Sequence, residues 1–307
     1  MRAINPQEMS ISGQTRRKFI SITGKALASA ALLSPAISGF STPAPAAITV
    51  GDVMDAFIAE VPGAPFEKTV DTLKAGKREI NVTGIITTMF ATLEIIQKAI
   101  STGVNFIIPH EPVFYNHLDQ TDWLESDDVY RYKSALLKKH NIAVWRNHDY
   151  IHSHVPDGVD TNVVKRLGWA GFYDAKTGVA AIPPMNLQQL IGHMKTALQI
   201  KMLRYIGSPQ LLCKKIVLMP GASGGQRHIR EIEKHKPDVL ICGEVQEWET
   251  AEYVRDARTK GDKIALIVLG HIPSEEPGSE YMAEWLKKKF PSLKTAHVPA
   301  ENPFSFA

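Results

Sequence analysis

Three consecutive segments, EINVTGIITT (residues 79–88), TLEIIQKAISTG (92–103) and NFIIPHEP (105–112), determine the fold that we predict. The first and third have the apolar runs of buried strands. The middle one has apolar residues at helical spacing between a capping threonine and a glycine. A strand, a helix and a strand within about 30 residues form a right-handed unit with a parallel sheet. The sequence therefore predicts an α/β fold.

The same alternation continues along the chain. Further helices are predicted over residues 52–60, 127–140, 159–167, 248–259 and 281–290, and further buried strands over 142–145, 237–242 and 264–269. Between them, residues 168–236 restart the pattern with short strands around a helix that Asn186 caps. We therefore predict a large discontinuous α/β domain, residues 47–167 and 237–307, with an inserted smaller α+β domain, residues 168–236.

The first 46 residues have the features of a twin-arginine export signal. Thr15-Arg16-Arg17-Lys18-Phe19-Ile20 precedes an apolar stretch, residues 26–40, and a small-residue cleavage pattern at Ala44-Pro45-Ala46. We expect this signal to be removed, so that a mature chain beginning near Ala47 reaches the periplasm. The alternative is that residues 20–37 remain as a membrane anchor. Polar residues interrupt that run, and a span needs about 20 mostly apolar residues.

Charge and cysteine content limit the partners. The signal holds five basic residues and one acid, so the formal net charge of +3 falls by 4 to −1 in the mature chain. We therefore expect no nucleic-acid partner, and no stable membrane anchor after cleavage. Cys213 and Cys242 lie in apolar strand-like runs. This placement favours buried free thiols over the alternative, a disulfide in an oxidising compartment.

Histidines and acids follow three of the predicted buried strands. In chain order the pairs are His110 with Glu111, His148 with His152, and His271 with Glu275. Residues beyond the carboxyl ends of neighbouring parallel strands can converge, because ligands bind in the crevice there. Imidazole and carboxylate are ligands of first-row divalent metals, and this set is large enough for two cations. The sequence therefore predicts a dinuclear site for zinc, iron or manganese.

Each of these motifs has a structural alternative. Taken alone, His110 is a hydrogen-bonded strand end and Glu111 a solvated loop acid. His148 and His152 lie among turn-forming residues, where a solvated polar loop has the same composition. The turn at residues 221–225 could cradle a phosphate before a helix, or could be a plain tight turn. The tight turn is favoured because the lysine and hydroxyl residues of a P-loop are missing.

The order of the motifs resembles the NGG-interacting-factor (Nif3-like) family of dinuclear metal proteins, whose bacterial members are often labelled GTP cyclohydrolase I type 2. The similarity extends from about Asp71 to the C-terminus and includes DVLICGE at residues 238–244. Its most specific part is Gly270-His271-Ile272-Pro273-Ser274-Glu275. The resemblance implies that the histidine and the glutamate of this segment are metal ligands.

Two positions depart from the family pattern. The family's paired histidines fall on His110 and Glu111, and its middle-loop aspartate falls on His152. One histidine has become glutamate and one aspartate has become histidine. The total of three imidazoles and two carboxylates is therefore retained, which is not expected of a decayed site.

The residues and the resemblance together predict five metal ligands, which are His110, Glu111, His152, His271 and Glu275. Glu244 is predicted to support these ligands, and His148 either to support them or to transfer protons, without binding a cation. No catalytic side chain is assigned.

The leading interpretation is an exported hydrolase with two divalent cations and an unknown small-molecule substrate. GTP is not the expected substrate, because an exported protein meets little of it. The alternative is a non-catalytic metal-binding or scaffolding toroid. The resemblance also implies a homohexamer.

Overall fold

The computed structural model describes residues 47–305, and the predicted export signal lies outside them. The strands in this range are β1 (Leu73–Ala75), β2 (Ile85–Thr88), β3 (Phe106–Pro109), β4 (Ala143–Trp145), β5 (Tyr173–Asp174), β6 (Val179–Asn186), β7 (Arg204–Ile206), β8 (Leu212–Met219), β9 (Val239–Cys242), β10 (Ala265–Val268) and β11 (Thr295–His297). The α-helices are α1 (Val50–Ile58), α2 (Leu93–Thr102), α3 (Asp128–Lys139), α4 (Asp149–Ser153), α5 (Gly158–Arg166), α6 (Leu187–Ala197), α7 (Gly225–His235), α8 (Glu252–Lys260) and α9 (His271–Lys289).

The first sheet has the strand order β1-β4-β3-β2-β11. Strands β4, β3, β2 and β11 are parallel to one another. The edge strand β1 is antiparallel to β4. Thr92 caps α2 and Gly103 ends it in the left-handed conformation, so the predicted strand, helix and strand unit is present. Side chains alternate between the faces of a strand. Accordingly Ile86 and Ile107 face α2 and α3, whereas Ile85 and Phe106 belong to the central core.

The second sheet has the strand order β5-β6-β8-β9-β10-β7. Its middle strands β8, β9 and β10 are parallel, and the flanking pairs are antiparallel. Val217, Leu240 and Leu266 pack with α7 and α8 on one face. Ile216 and Ile241, on the other face, belong to the same central core as the inner face of the first sheet. Helices α1, α5, α6 and α9 contribute to this core, which joins the two sheets.

The α/β class is confirmed, but the sheets divide the chain differently from the predicted domains. Strands β9 and β10 were assigned to the larger domain, yet they pair beside β8 of the predicted insertion. A strand that is buried on both faces carries no sequence signal for the neighbour it pairs with. The predicted domain boundaries therefore stay a prediction.

Two helices differ from the sequence-based prediction. The segment that carries His148 and His152 was predicted as a loop, but residues 149–153 form α4. The last helix begins at His271 instead of Tyr281, and Pro277 lies inside it. Proline is disfavoured in the interior of a helix, so the helix was predicted to begin after Pro277 and its earlier start was missed. The helix persists because it packs closely on α5, where an added Cβ at Gly278 would lie 2.7 Å from the side chain of Val159.

Cys213 and Cys242 are both buried and free, as predicted. Burial raises the pKa of the Cys213 thiol to about 11 and that of Cys242 to about 12, so neither is a reactive thiolate at neutral pH. None of the helices within residues 47–305 has the length and apolar character that a bilayer crossing requires. The alternative of a retained anchor concerns residues 20–37, which lie outside the described range.

Candidate metal centre

The predicted ligands come together where three strands end. His110 and Glu111 follow β3 directly, and His152 lies on α4, the short helix after β4. His271 and Glu275 lie in the first two turns of α9, after β10. Residues four apart on a helix share one face, so this last pair points in one direction.

Glu111, His271 and Glu275 form a carboxylate group. Nε2 of His271 lies 3.0 Å from Oε1 of Glu111 and 3.0 Å from Oε2 of Glu275. Both glutamates are buried, with exposed fractions of 6% and 4%. Buried carboxylates need a cationic partner, and here they share a single imidazole edge. Two oxygens and one nitrogen thus face a common point.

His110, His148 and His152 form an imidazole group. One nitrogen from each ring lies within 4.8 Å of the other two. The rings of His110 and His148 are stacked, with centroids 4.8 Å apart. Nε2 of His110 is buried and makes no hydrogen bond within the described residues, which fits a nitrogen that binds a cation. Three nitrogen donors therefore face a second point.

The two groups are contiguous. Oε2 of Glu275 is 3.5 Å from Nε2 of His110, and Oε1 of Glu275 is 4.0 Å from Nε2 of His152. Oε1 of Glu111 is 3.8 Å from Nε2 of His148. His110, Glu111 and Glu275 also offer ligand atoms within 4.8 Å of one another. Glu275 therefore contacts both groups, as a carboxylate shared between two cations would.

Each imidazole is held through its other nitrogen. Nδ1 of His148 lies 3.0 Å from Asp149, and Nδ1 of His152 lies 3.0 Å from Asp157. Nδ1 of His110 lies 3.2 Å from the backbone oxygen of Asn147. Metal-binding histidines usually have such a partner, because it fixes the ring and leaves the opposite nitrogen for the metal. All three Nε2 atoms are thus aimed inward.

Glu244 holds the ring of His271 through its Nδ1 in the same way. Its Oε1 lies 2.9 Å from Nδ1 of His271, which is the contact that the predicted supporting role requires. His148, which was also predicted to support the ligands, has a ring nitrogen within 4.8 Å of nitrogens of His110 and His152.

The protonation of the site fits a cation. Burial lowers the pKa of His271, but hydrogen bonds to Glu111, Glu244 and Glu275 outweigh burial and raise this pKa far above its ordinary value. Burial raises the pKa of Glu275, whereas His110 and His271 lower it, and the net direction is down. The rise in the pKa of His271 reflects the negative charge of the carboxylates around it, which a cation would also neutralise.

Arg146, which the sequence analysis did not single out, orients Glu111. Its side chain is fully buried directly after β4, and its guanidinium lies 3.1 Å from Oε2 of Glu111 and 3.6 Å from Asp119. It also donates to the backbone oxygen of His110. Its position next to a buried strand was the one available signal, and its partner lies 35 residues away in sequence.

Asp71 fixes the start of α4. Its carboxylate accepts hydrogen bonds from the backbone N–H groups of His148, at 2.8 Å, and Tyr150, at 2.7 Å. Burial raises the pKa of Asp71 to about 6, although these hydrogen bonds oppose the rise. The segment before β1 therefore positions His148 and the helix after it, which carries His152.

Glycines let the loop after β8 approach Glu275. Gly221 has φ +67°, and an added Cβ there would lie 2.2 Å from Oε1 of Glu275. Its N–H donates to Oγ of Ser274 at 3.0 Å. An added Cβ at Gly243 would lie 2.4 Å from the same Oγ. These contacts give the turn at residues 221–225 a packing role against α9.

We predict that Gly221→Ala weakens metal binding. The left-handed backbone costs a residue with a Cβ about 1–2 kcal/mol, and the new methyl group must displace the Glu275 carboxylate. The expected loss of metal affinity is roughly 10-fold or more. Gly171→Ala is the matched control, because its Cβ would meet no atom within 4 Å. Isothermal titration of both metal-free proteins with zinc tests this, and equal affinities would contradict the packing role.

The site opens into a cleft of about 1510 Å³. Glu111, His148, His152, His271 and Glu275 line one part of it. Lys176, Arg227 and Lys234 line another part, and Phe90 and Tyr115 add aromatic surface. The ring of Phe90 meets that of His271 edge to face, with centroids 6.1 Å apart. The cleft thus combines candidate metal ligands with apolar and cationic walls.

Fold and site together define the class, an α/β protein whose strand ends carry two contiguous groups of side chains that could bind metal. The family model described as Duf34/NIF3 (NGG1p interacting factor 3) matches residues 52–303. The chain belongs to this family, which confirms the resemblance seen in its motifs.

Individual relatives agree with this assignment. The chain is 26% identical over 247 residues to a Clostridium perfringens protein named GTP cyclohydrolase 1 type 2 homolog, covering 76% of this chain and 90% of the relative. The structure of Staphylococcus aureus hypothetical protein SA1388 is similar with a TM-score of 0.69 and 18% identity, covering 85% of this chain and 100% of that chain. A Bacillus cereus protein related to NIF3 gives 0.67 and 15%, covering 84% and 99%. These structures support the fold.

Proposed function

We propose that this protein is a metal-dependent hydrolase with two divalent cations. The observation that carries the proposal is the contiguity of the carboxylate group and the imidazole group, with Glu275 in contact with both. Cations bound there would supply Lewis-acid chemistry and lower the pKa of a water molecule toward neutrality. Zinc, iron and manganese all suit the donors.

The remaining chemistry falls to the chain itself. Glu244 and Asp157 hold His271 and His152 in orientation through their Nδ1 atoms. The aromatic face of Phe90 beside His271 offers an apolar contact for the reacting part of a substrate. Arg227 and Lys176 line the same cleft and would attract an anionic group. We therefore propose an anionic ester or amide as the substrate class.

The name of the curated relatives suggests GTP chemistry. We propose a different substrate, because the twin-arginine motif at Arg16 and Arg17 favours export to a compartment where GTP is scarce. Cell fractionation of a variant with both arginines replaced by lysine tests the export proposal. Retention of the uncleaved precursor in the cytoplasm is expected, and mature protein in the periplasm would contradict it.

A hydrolysis screen tests the proposed activity. Metal-loaded protein is incubated with phosphoesters, nucleotides, pterins and amides, and the chelated protein serves as control. Turnover that depends on metal supports the hydrolase. Full metal occupancy without turnover of any member would favour the alternative, a metal-binding or scaffolding toroid.

We also propose the hexameric assembly that the resemblance implies. Tyr115, Leu118 and Trp123 are exposed by 55%, 58% and 63% within one short segment, which offers apolar surface for association. Light scattering of the mature protein tests this proposal. We expect the mass of six chains, and the mass of a monomer would contradict the hexamer.

A further inference from the structure

We propose that His148 is a direct metal ligand, so that His110, His148 and His152 form a three-imidazole cation position, next to a carboxylate-rich position that shares Glu275 with it. This inference rests on the proposed metal centre and adds a sixth ligand to it. The motifs alone would leave His148 in a supporting role. Its geometry instead points to a role as a ligand.

The orientation of the His148 ring carries the first step. Its Nδ1 is engaged by Oδ1 of Asp149 at 3.0 Å, which leaves Nε2 free to face the other imidazoles. Asp149 is itself held, because its Oδ2 accepts from Oγ1 of Thr69 at 2.8 Å and from the N–H of Val70 at 3.1 Å. The chain thus builds for His148 the same kind of support that it builds for His152 and His271.

The backbone carries the second step. Asp71 accepts the N–H of His148 at 2.8 Å, so the main chain at this residue is fixed as well as the ring. A proton-transfer residue on a solvated loop would need neither restraint. Fixing both the backbone and the ring instead suits a ligand, whose nitrogen must stay within a few tenths of an ångström of one position.

The donor sets carry the third step. The position formed by His110, His148 and His152 has three nitrogen donors and shares Glu275 with the other position, whereas Glu111, His271 and Glu275 provide two carboxylates and one imidazole. Imidazole suits zinc and other late metals, and carboxylate suits manganese and other harder cations. The two positions should therefore differ in metal preference, and removal of His148 should affect one of them selectively.

Metal titration with three probe ions tests the proposal. Chelated parent, His148→Ala and His148→Gln are titrated with zinc, with manganese and with cobalt(II), whose visible absorption reports its ligands. His117→Ala is the matched control, because His117 lines the same cleft and its ring lies 5.9 Å from that of His148, outside the ligand groups. Circular dichroism of the chelated variants verifies folding before each titration.

For His148→Ala and His148→Gln we expect one zinc ion to bind more than 100-fold more weakly than in the parent, beyond the roughly 10-fold to 100-fold effect of losing a supporting residue. Manganese binding at the carboxylate-rich position should remain unchanged, and the cobalt spectrum should lose intensity. His117→Ala should match the parent.

The results that would overturn His148 as a ligand differ from those that would overturn the proposed function. Two zinc ions with parental affinity and an unchanged cobalt spectrum in both His148 variants would overturn the assignment. If the parent itself holds a single ion, the two-cation proposal fails. In that case a changed cobalt spectrum in His148→Ala would still support His148 as a ligand, and an unchanged spectrum would overturn it.

Discussion

Glu275→Gln is expected to remove at least one of the two proposed cations and to weaken binding of the other by more than 100-fold. Glu275 lies 3.0 Å from His271, 3.5 Å from His110 and 4.0 Å from His152, so it contacts both ligand groups. The amide has nearly the same shape but loses the negative charge and one acceptor oxygen. Losing a supporting residue costs roughly 10-fold to 100-fold in affinity, and a shared ligand should cost more. Zinc titration of the chelated protein measures it.

Glu276→Gln is the matched control for this experiment. Glu276 is adjacent in sequence but binds His297, at 2.6 Å, and the N–H of Ala300, away from the ligand groups. We expect its metal affinity to equal that of the parent. A Glu275→Gln protein that retains two tightly bound ions would show that this carboxylate is not shared.

Arg146→Met is expected to destabilise the metal-free protein by about 3–5 kcal/mol, because removing one partner leaves a buried charge uncompensated. Arg146 is fully buried, and its loss exposes Glu111 and Asp119 to that penalty. Metal affinity should fall as well, because Oε2 of Glu111 then loses its partner and only the contacts of Oε1 with His271 and His148 remain to orient the carboxylate. Urea unfolding monitored by circular dichroism, followed by zinc titration under native conditions, measures both effects.

The control for Arg146 is an exposed arginine in an ion pair. Arg78 pairs with Asp55 at 2.5 Å, and the two side chains are 44% and 67% exposed. Arg78→Met should change the unfolding free energy by about 1 kcal/mol or less, as exposed pairs contribute little. A loss below 1 kcal/mol for Arg146→Met would contradict the structural importance of the buried network.

The strand ends made the site predictable from sequence to a considerable degree. His110 and Glu111 follow a buried strand of the first sheet, and His271 and Glu275 follow a buried strand of the second, after a glycine. The rule that ligands bind beyond the carboxyl ends of parallel strands therefore identified the residues, but not that they come from two sheets. The chemistry of the residue types then suggested metal. Neither step needs long-range information, because the pattern of each strand and the residues after it are local.

Other features depend on contacts that no local pattern records. The residues around His152 are turn formers, and α4 exists there because Asp71, distant in sequence, accepts two of its backbone N–H groups. Pro277 suits the first turn of a helix, but α9 begins six residues before it and packs on α5. The pairing of β9 with β8 is likewise decided by tertiary contacts.

Buried charge was the least visible feature. In the sequence, Arg146 looks like any exposed arginine. Its burial is possible because Glu111 and Asp119 lie beside its guanidinium. Gly221 is a similar case, because the residue that it closely approaches, Glu275 on α9, lies 54 residues further along the chain.

Elemental analysis of protein purified without chelator tests the central claim most directly. The measurement is the ratio of zinc, iron and manganese to protein chains, by mass spectrometry of the metals and amino-acid analysis of the same sample. The two contiguous ligand groups predict a summed content of about two metal ions per chain. A content of one ion or none would contradict the two-cation centre.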